Sequence, residues 1–277
     1  MVAFFKWLER GKRASDRLPP APPRPTSDRA LIAAIAWDRV DLHFQPQIDV
    51  ATGKVVGVEA LARWDGATSP EDLFGRAARS GLSERLSRAV QRKALRMVGK
   101  WTGPLSRLRI SINLLAEDLE RPGYERWLLD EIGAAGLAPS RVTVEITESS
   151  LVADRPAAAA RLAQLRAAGV RIAVDDFGTG YASLAYLTSL PLDTLKIDRG
   201  LIADIVGGSR DRIVVKAMIR LARELNLQVI VEGVEDPAQL DLLEGWGCDL
   251  YQGFLGARAL NESELATFVQ GRVAKAA

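Results

Sequence analysis

The sequence predicts an α/β protein built as a (β/α)8 TIM-like barrel with its first strand antiparallel to its neighbours. Three observations carry that reading. From Leu108 onward, short apolar runs alternate with amphipathic helical segments, as parallel βαβ units require. Eight such strands fit into about 240 residues, which suits a closed barrel better than an open sheet. The first two strands are separated only by a turn, so they pair as a hairpin.

The elements follow in order. Residues 30–37 read as a short helix and 40–48 as strand one, where Val40, Leu42 and Phe44 alternate with Asp41, His43 and Gln45. Thr52-Gly53 turns the chain, and 55–62 returns as strand two with Glu59 late in it. Ser69-Pro70-Glu71-Asp72 joins an N-cap serine to a first-turn proline and opens a helix to Arg79; a longer amphipathic helix covers 82–100. Strand 108–112 ends at Asn113, helix 124–135 follows, and strand 142–146 carries Glu145, with Glu148 beyond it. Helix 157–168 closes at Gly169 and leads into the apolar run 170–174, which delivers Asp175 and Asp176 to a glycine-bracketed turn. A short helix at 184–187 precedes strand 194–197 with Lys196, followed by Asp198. Helix 211–225 precedes strand 228–231, ending at Glu232, and helix 237–245 precedes strand 248–251, ending at Gln252.

Composition narrows the chemistry. The 277 residues are nearly half apolar, enough to bury a large core, and the formal net charge is only +2, which gives no footprint for duplex nucleic acid. Cys248 is the single cysteine and His43 the single histidine, so disulfide frameworks and multi-histidine metal sites are excluded. No run is long and apolar enough for a membrane span, and the cytoplasm is the expected compartment. Residues 1–29 read as a basic, proline-rich flexible leader and linker before one barrel domain at 30–277. Met1, Phe4, Phe5 and Leu8 share one helical face, so weak membrane contact by residues 1–13 stays open beside that reading.

In such barrels the strand C-termini form one rim. Glu59, Asn113, Glu145, Asp175 with Asp176, Lys196 with Asp198, Glu232 and Gln252 fall at or near seven strand ends. Each has a bland reading alone, as a turn former, a helix-start acid or a solvated charge. Together the carboxylates would repel one another by several kcal/mol without cations between them. Oxygen ligands of this kind suit Mg²⁺ or Mn²⁺, and the aspartate pair favours two ions about 4 Å apart, the geometry of phosphoester hydrolysis. Lys196 also allows a Schiff-base aldolase reading, which the surrounding carboxylates oppose because they keep the amine charged.

Glu59-Ala60-Leu61 followed by Arg63-Trp64 resembles the signature of the EAL domain family, phosphodiesterases of cyclic di-GMP. The resemblance extends from Ala30 to about Leu260 through Gln45-Pro46, Asn113, Glu145-Ile146-Thr147-Glu148, Asp175 to Tyr181, Leu195-Lys196-Ile197-Asp198, Glu232-Gly233-Val234-Glu235 and Gln252-Gly253. It implies an EAL-type barrel that hydrolyses cyclic di-GMP to linear pGpG with two Mg²⁺ or Mn²⁺ ions, Ca²⁺ being inhibitory. By position, Glu59, Asn113, Glu145, Asp175, Asp176 and Glu232 would bind metal. Lys196 would hold the attacking water with Asp198, and Glu235 would support the site. Gln45, Arg63 and Gln252 would meet the substrate or nearby water, and Glu148 would stabilise the loop after Asp176. The family also implies a homodimer through Phe177 to Tyr186. Leu115, Ala78, His43 and Ala259 depart from the usual pattern at positions that are not metal ligands. They leave a second reading open, an EAL-like receptor that binds the dinucleotide or a partner protein without turnover.

Overall fold

A computed structural model of the chain describes residues 27–147, 155–178, 184–208 and 210–275. The leader ahead of residue 27, Glu148, and 179–183 of the expected dimer segment lie outside the described residues. All eight expected strands form, and they close one sheet in sequence order. β1 (Asp41–Asp49) runs antiparallel to both its neighbours, β2 (Val55–Arg63) and β8 (Leu250–Tyr251). Between them β3 (Arg109–Leu114), β4 (Val142–Thr147), β5 (Arg171–Phe177), β6 (Thr194–Ile197) and β7 (Gln228–Val231) pair in parallel, and β2 and β8 join them in the same sense.

The helices are α1 (Arg29–Ala36), α2 (Pro70–Arg79), α3 (Ser83–Gly99), α4 (Ala116–Glu120), α5 (Tyr124–Ala134), α6 (Arg155–Ala167), α7 (Leu184–Ser189), α8 (Arg210–Glu224), α9 (Pro237–Trp246) and α10 (Glu262–Lys275). Their starts are written locally. Ser69 accepts from the Asp72 N–H ahead of Pro70 in α2, and Asp28 accepts from the Leu31 N–H in α1. Two helices go beyond the sequence pattern. A single turn such as α4 leaves no periodicity to read, but α10 carries a capping box: Asn261 accepts from the Glu264 N–H, and the Glu264 carboxylate accepts from the Asn261 N–H, both at 3.0 Å. β8 is shorter than expected, with Cys248 and Asp249 preceding it, and β5 runs on through both aspartates to Phe177.

The main apolar core lies between the sheet and the helices, not inside the barrel. Ile110, Val144, Ile172, Leu195 and Val229 on the strands and Leu95, Leu128, Leu162, Ile219 and Leu243 on the helices are fully buried. Each such side chain contributes about 1.5–3 kcal/mol by leaving water. The barrel interior is polar instead: Gln47 Nε2 donates to Ser111 Oγ at 3.2 Å midway along it, and Lys196 is fully buried near its top. The segment after β8 is stitched to β1, where the Phe44 N–H donates to the Leu260 carbonyl at 2.7 Å and the Phe44 carbonyl accepts from the Leu260 N–H at 2.9 Å. Among the described residues no helix is long and apolar enough to cross a membrane.

Cys248 supplies a direct test of this packing. It is only 7% exposed, its Sγ donates to the Leu250 carbonyl at 3.2 Å, and burial pushes the thiol up to about 12. The native protein is therefore expected to resist a thiol-selective disulfide reagent near pH ~8 and to react fully once denatured. Rapid stoichiometric labelling of the folded protein would contradict the arrangement of β7 and β8.

Candidate active site

Lys196, third in β6, projects its ammonium into the barrel top. Its Nζ lies 2.7 Å from Glu145 Oε2, 2.7 Å from Glu232 Oε1, 3.0 Å from Asp175 Oδ2 and 3.4 Å from Glu59 Oε2. The carboxylates come from β2, β4, β5 and the end of β7, so period-two alternation along separate strands brings them to one point. Asn113 on β3 donates Nδ2 to Glu59 Oε1 at 2.9 Å. Gln252 donates Nε2 to Glu59 Oε2 at 2.8 Å and to Gln45 Oε1 at 3.0 Å, linking β1, β2 and the end of β8.

Asp176 reaches this rim by a different device. Alternation would send it to the face opposite Asp175, but β5 carries an extra residue relative to β6 between Val174 and Phe177. Within that bulge Asp176 has φ +54°, a left-handed conformation that costs a non-glycine residue about 1–2 kcal/mol. Its N–H donates to Asp175 Oδ1 at 2.9 Å. Gly253 answers a close approach of the same kind: at φ +155° a Cβ there would lie 2.3 Å from the Val234 backbone.

The charges respond unequally to burial. Burial opposes ionisation of Glu59, yet Lys196, Gln252 and Asn113 outweigh it and hold that carboxyl below the usual range. Glu145 lacks such help: its Oε1 is buried without a hydrogen-bond partner, and burial pushes the carboxyl well up despite Lys196. Burial likewise raises Glu232 to about 7, and burial with the Asp175 charge raises Asp176. The carboxylates in turn overcome the desolvation of Lys196 and hold its ammonium firmly charged.

This donor set fits divalent cations. Glu59, Glu145 and Asp175 each offer an oxygen within 4.8 Å of the others, and so do Asp175, Asp176 and Glu232. The two triads share Asp175, as a bridging ligand between neighbouring ions requires, and the unpartnered Glu145 oxygen is a buried lone pair suited to an ion.

The remaining expected residues surround an 860 Å³ cleft over the rim, whose lining includes Gln45, Arg63, Asp198, Glu235 and Gln252. Arg63 Nη1 donates to the Ala62 carbonyl at 2.9 Å. Asp198 accepts from the Gly200 N–H at 2.7 Å and caps the turn at Arg199–Leu201, while Glu235 is exposed at the mouth.

Sequence reasoning passed over Arg199 and the 70%-exposed Phe254, which also line the cleft. It also passed over a buried brace beneath Asn113. Gln91 Nε2 donates to the Asn113 carbonyl at 3.0 Å, and Tyr124 Oη donates to Gln91 Oε1 at 2.8 Å. Asp118 accepts from Ser87 Oγ at 2.6 Å and from the Leu115 N–H at 3.1 Å. The readable signal was Ser87 and Gln91, one helical turn apart on the core-facing side of α3.

Comparison with known proteins agrees with this geometry. The family profile described as EAL domain matches residues 28–259. Cyclic di-GMP phosphodiesterase NbdA of Pseudomonas aeruginosa is 38% identical over 248 residues, covering 88% of this chain and 32% of the relative. Cyclic di-GMP phosphodiesterase PA2567 of the same organism is 35% identical over 233 residues, covering 83% and 40%. The chain thus spans about a third of the length of the curated relatives it matches. Among solved structures, the PaMucR phosphodiesterase in complex with c-di-GMP is 36% identical with a TM-score of 0.79, covering 85% of this chain and 99% of that one. A manganese and c-di-GMP complex of Klebsiella pneumoniae BlrP1 is 32% identical with a TM-score of 0.73, covering 80% and 56%. Matched along nearly the whole barrel by profile and by fold, the chain belongs to the EAL domain family.

Proposed function

We propose that the barrel, residues 30–277 behind a linker at 1–29, is a metal-dependent phosphodiesterase that hydrolyses cyclic di-GMP to linear pGpG. The observation that carries this reading is the pair of carboxylate triads sharing Asp175 at the floor of the cleft. Water adds across one phosphodiester: the P–O3′ bond breaks, the phosphate stays on the 5′ oxygen, and the released 3′ oxygen takes a proton.

Glu59, Asn113, Glu145, Asp175, Asp176 and Glu232 would hold two Mg²⁺ or Mn²⁺ ions. When bound, such ions supply Lewis acidity at the phosphate and bring the pKa of a water toward neutrality. Ca²⁺, larger and tolerant of looser geometry, would bind and inhibit. The chain's own groups do the positioning. Lys196 Nζ presents hydrogen-bond donors to the attacking water, and Asp198 and Glu235 support it from the rim. Arg63 meets a phosphate with its planar fork, while the Gln45 and Gln252 amides orient the substrate or its water.

Glu148 would steady the loop after Asp176. A homodimer contact through Phe177 to Tyr186 belongs to the same reading, supported by exposed Val206, Ile213 and Val214 on elements that pack together beside Gly178. The free, buried Cys248 fits a reducing cytoplasm.

Chromatography of cyclic di-GMP incubated with the protein and Mg²⁺ or Mn²⁺ tests the reading. The wild type is expected to yield pGpG, and Glu59→Ala and Lys196→Ala each to lose at least ~100-fold in turnover. Binding without product, beside a homologue that cleaves, would instead establish a receptor.

A second expectation concerns pH. In protein stripped of divalent ions, Glu232 is raised from 4.5 to about 7. A carboxyl raised on folding contributes stability that is complete below its unfolded pKa and lost as pH rises through the folded one. The melting temperature is therefore expected to fall across that window. Saturating Mg²⁺ or Mn²⁺ should remove the fall by holding the carboxylates ionised. A profile unchanged by the ions would count against the metal site.

A further inference from the structure

The barrel interior is charged at both ends. The alternation that turns Asn113 and Asp175 to the rim also turns Arg109 and Arg171 inward, four residues earlier on the same strands. Arg109 crosses the barrel: its Nη2 donates to Gln228 Oε1 at 3.5 Å, and β3 and β7 share no edge. That single long bond leaves most of the guanidinium donors unused. Among the described residues, neither arginine forms an ion pair. The carboxylates at this end are committed elsewhere: Asp49 accepts from Thr52, Asp193 from Arg166 and the Ile172 N–H, and Asp249 from the Val229 N–H. Burial, and then the Arg171 charge, push the half-buried Arg109 down from its ordinary pKa.

Beside Arg109 opens a groove of 940 Å³. Lys54, Arg107 and Arg272 line it with Arg109, over an apolar floor that includes Val55 and Val269, and no acidic residue lines it. Arg272 is already oriented: its Nη1 donates to the Gly53 carbonyl at 2.8 Å, and its guanidinium lies 4.9 Å from the centre of the Phe268 ring. Four cationic residues thus line one groove, and none of its lining residues supplies a counter-charge. Like charges lining one groove repel each other, and a bound anion would turn that repulsion into attraction. Arginine forks match phosphate oxygens, and the volume falls within the range of about 300–1,000 Å³ usual for small-ligand pockets.

We infer that the N-terminal mouth of the barrel, opposite the acidic rim, binds a phosphate monoester dianion up to the size of a mononucleotide through Arg109, Arg272, Lys54 and Arg107. The apolar floor gives a sugar or base a surface that free phosphate leaves uncovered. This site does not depend on the phosphodiesterase reading, because it uses none of the rim residues.

Calorimetric titration of the full chain with inorganic phosphate, pyrophosphate and GMP tests it, at constant ionic strength and with divalent ions chelated. Saturable binding is expected, weakened at least ~10-fold in Arg109→Gln. GMP binding more tightly than phosphate assigns the site to a nucleotide-type ester, and equal affinities assign it to free phosphate. Because Arg109 lies inside the barrel, the double variant Lys54→Ala, Arg107→Ala, confined to exposed side chains, should weaken binding in parallel without lowering the melting temperature. Absence of saturable binding, or binding lost in Arg63→Ala but kept in both basal variants, would overturn the proposal. In either case the arginines would act as internal counter-charges to the acidic rim.

Discussion

Lys196 carries one positive charge into a space that four carboxylates share, and burial removes the water that would otherwise separate them. Two like charges 4 Å apart at an effective dielectric near 20 repel by about 4 kcal/mol, so the cluster is tolerable only while positive charge stays at its centre. One ammonium does not neutralise four carboxyls. The imbalance appears directly in the uneven ionisation: Glu59, with three donor residues, stays low, while Glu145 and Glu232 are driven up. The protein keeps an electrostatic deficit that divalent cations can fill.

The rest of the architecture supplies the geometry that this cluster demands. Separate strands bring one carboxylate each, so no single element has to hold several repelling groups. Asp176 is the exception, and there the chain accepts a bulge and a left-handed backbone to put two neighbouring aspartates on one side of a strand. Below Asn113, the Gln91, Ser87, Asp118 and Tyr124 network fixes the turn into α4. The resemblance marks position 115 as one commonly held by serine. Here Leu115 cannot cap through its side chain, and Asp118 instead reaches back to the Leu115 N–H.

Much of this was legible in the residues themselves. Glu59, Asn113, Glu145, Asp175, Lys196, Glu232 and Gln252 could be assigned to one rim because each stands at or near the end of an apolar run, and parallel strands align those ends. Asp176 could be assigned to the rim beside Asp175, but the means of its placement could not be read, since its direction depends on an extra residue in the β5–β6 register that leaves no periodic trace. The bracing residues beneath Asn113 were hidden for another reason: Ser87 and Gln91 look like ordinary polar positions of an amphipathic helix until tertiary packing shows that they face inward. The basal arginines were passed over because strand-starting charges usually point to solvent, and only closure of the sheet turns Arg109 and Arg171 toward each other's field.

The seam between β1 and β8 has a consequence for how the molecule comes into being. Only Ile48 with Tyr251 and Asp49 with Leu250 pair along it, helped by the bridge from Phe44 to Leu260. These contacts join residues some two hundred positions apart, so they close a loop spanning most of the chain and bring a large entropic penalty late in folding. Gln252 is delivered to Glu59 across this same joint. On a ribosome, most of the acidic rim would emerge before the partner that completes it. Until the last strand docks, a nascent barrel would expose strand edges and poorly neutralised carboxylates together, a species whose survival depends on how quickly that final closure follows synthesis.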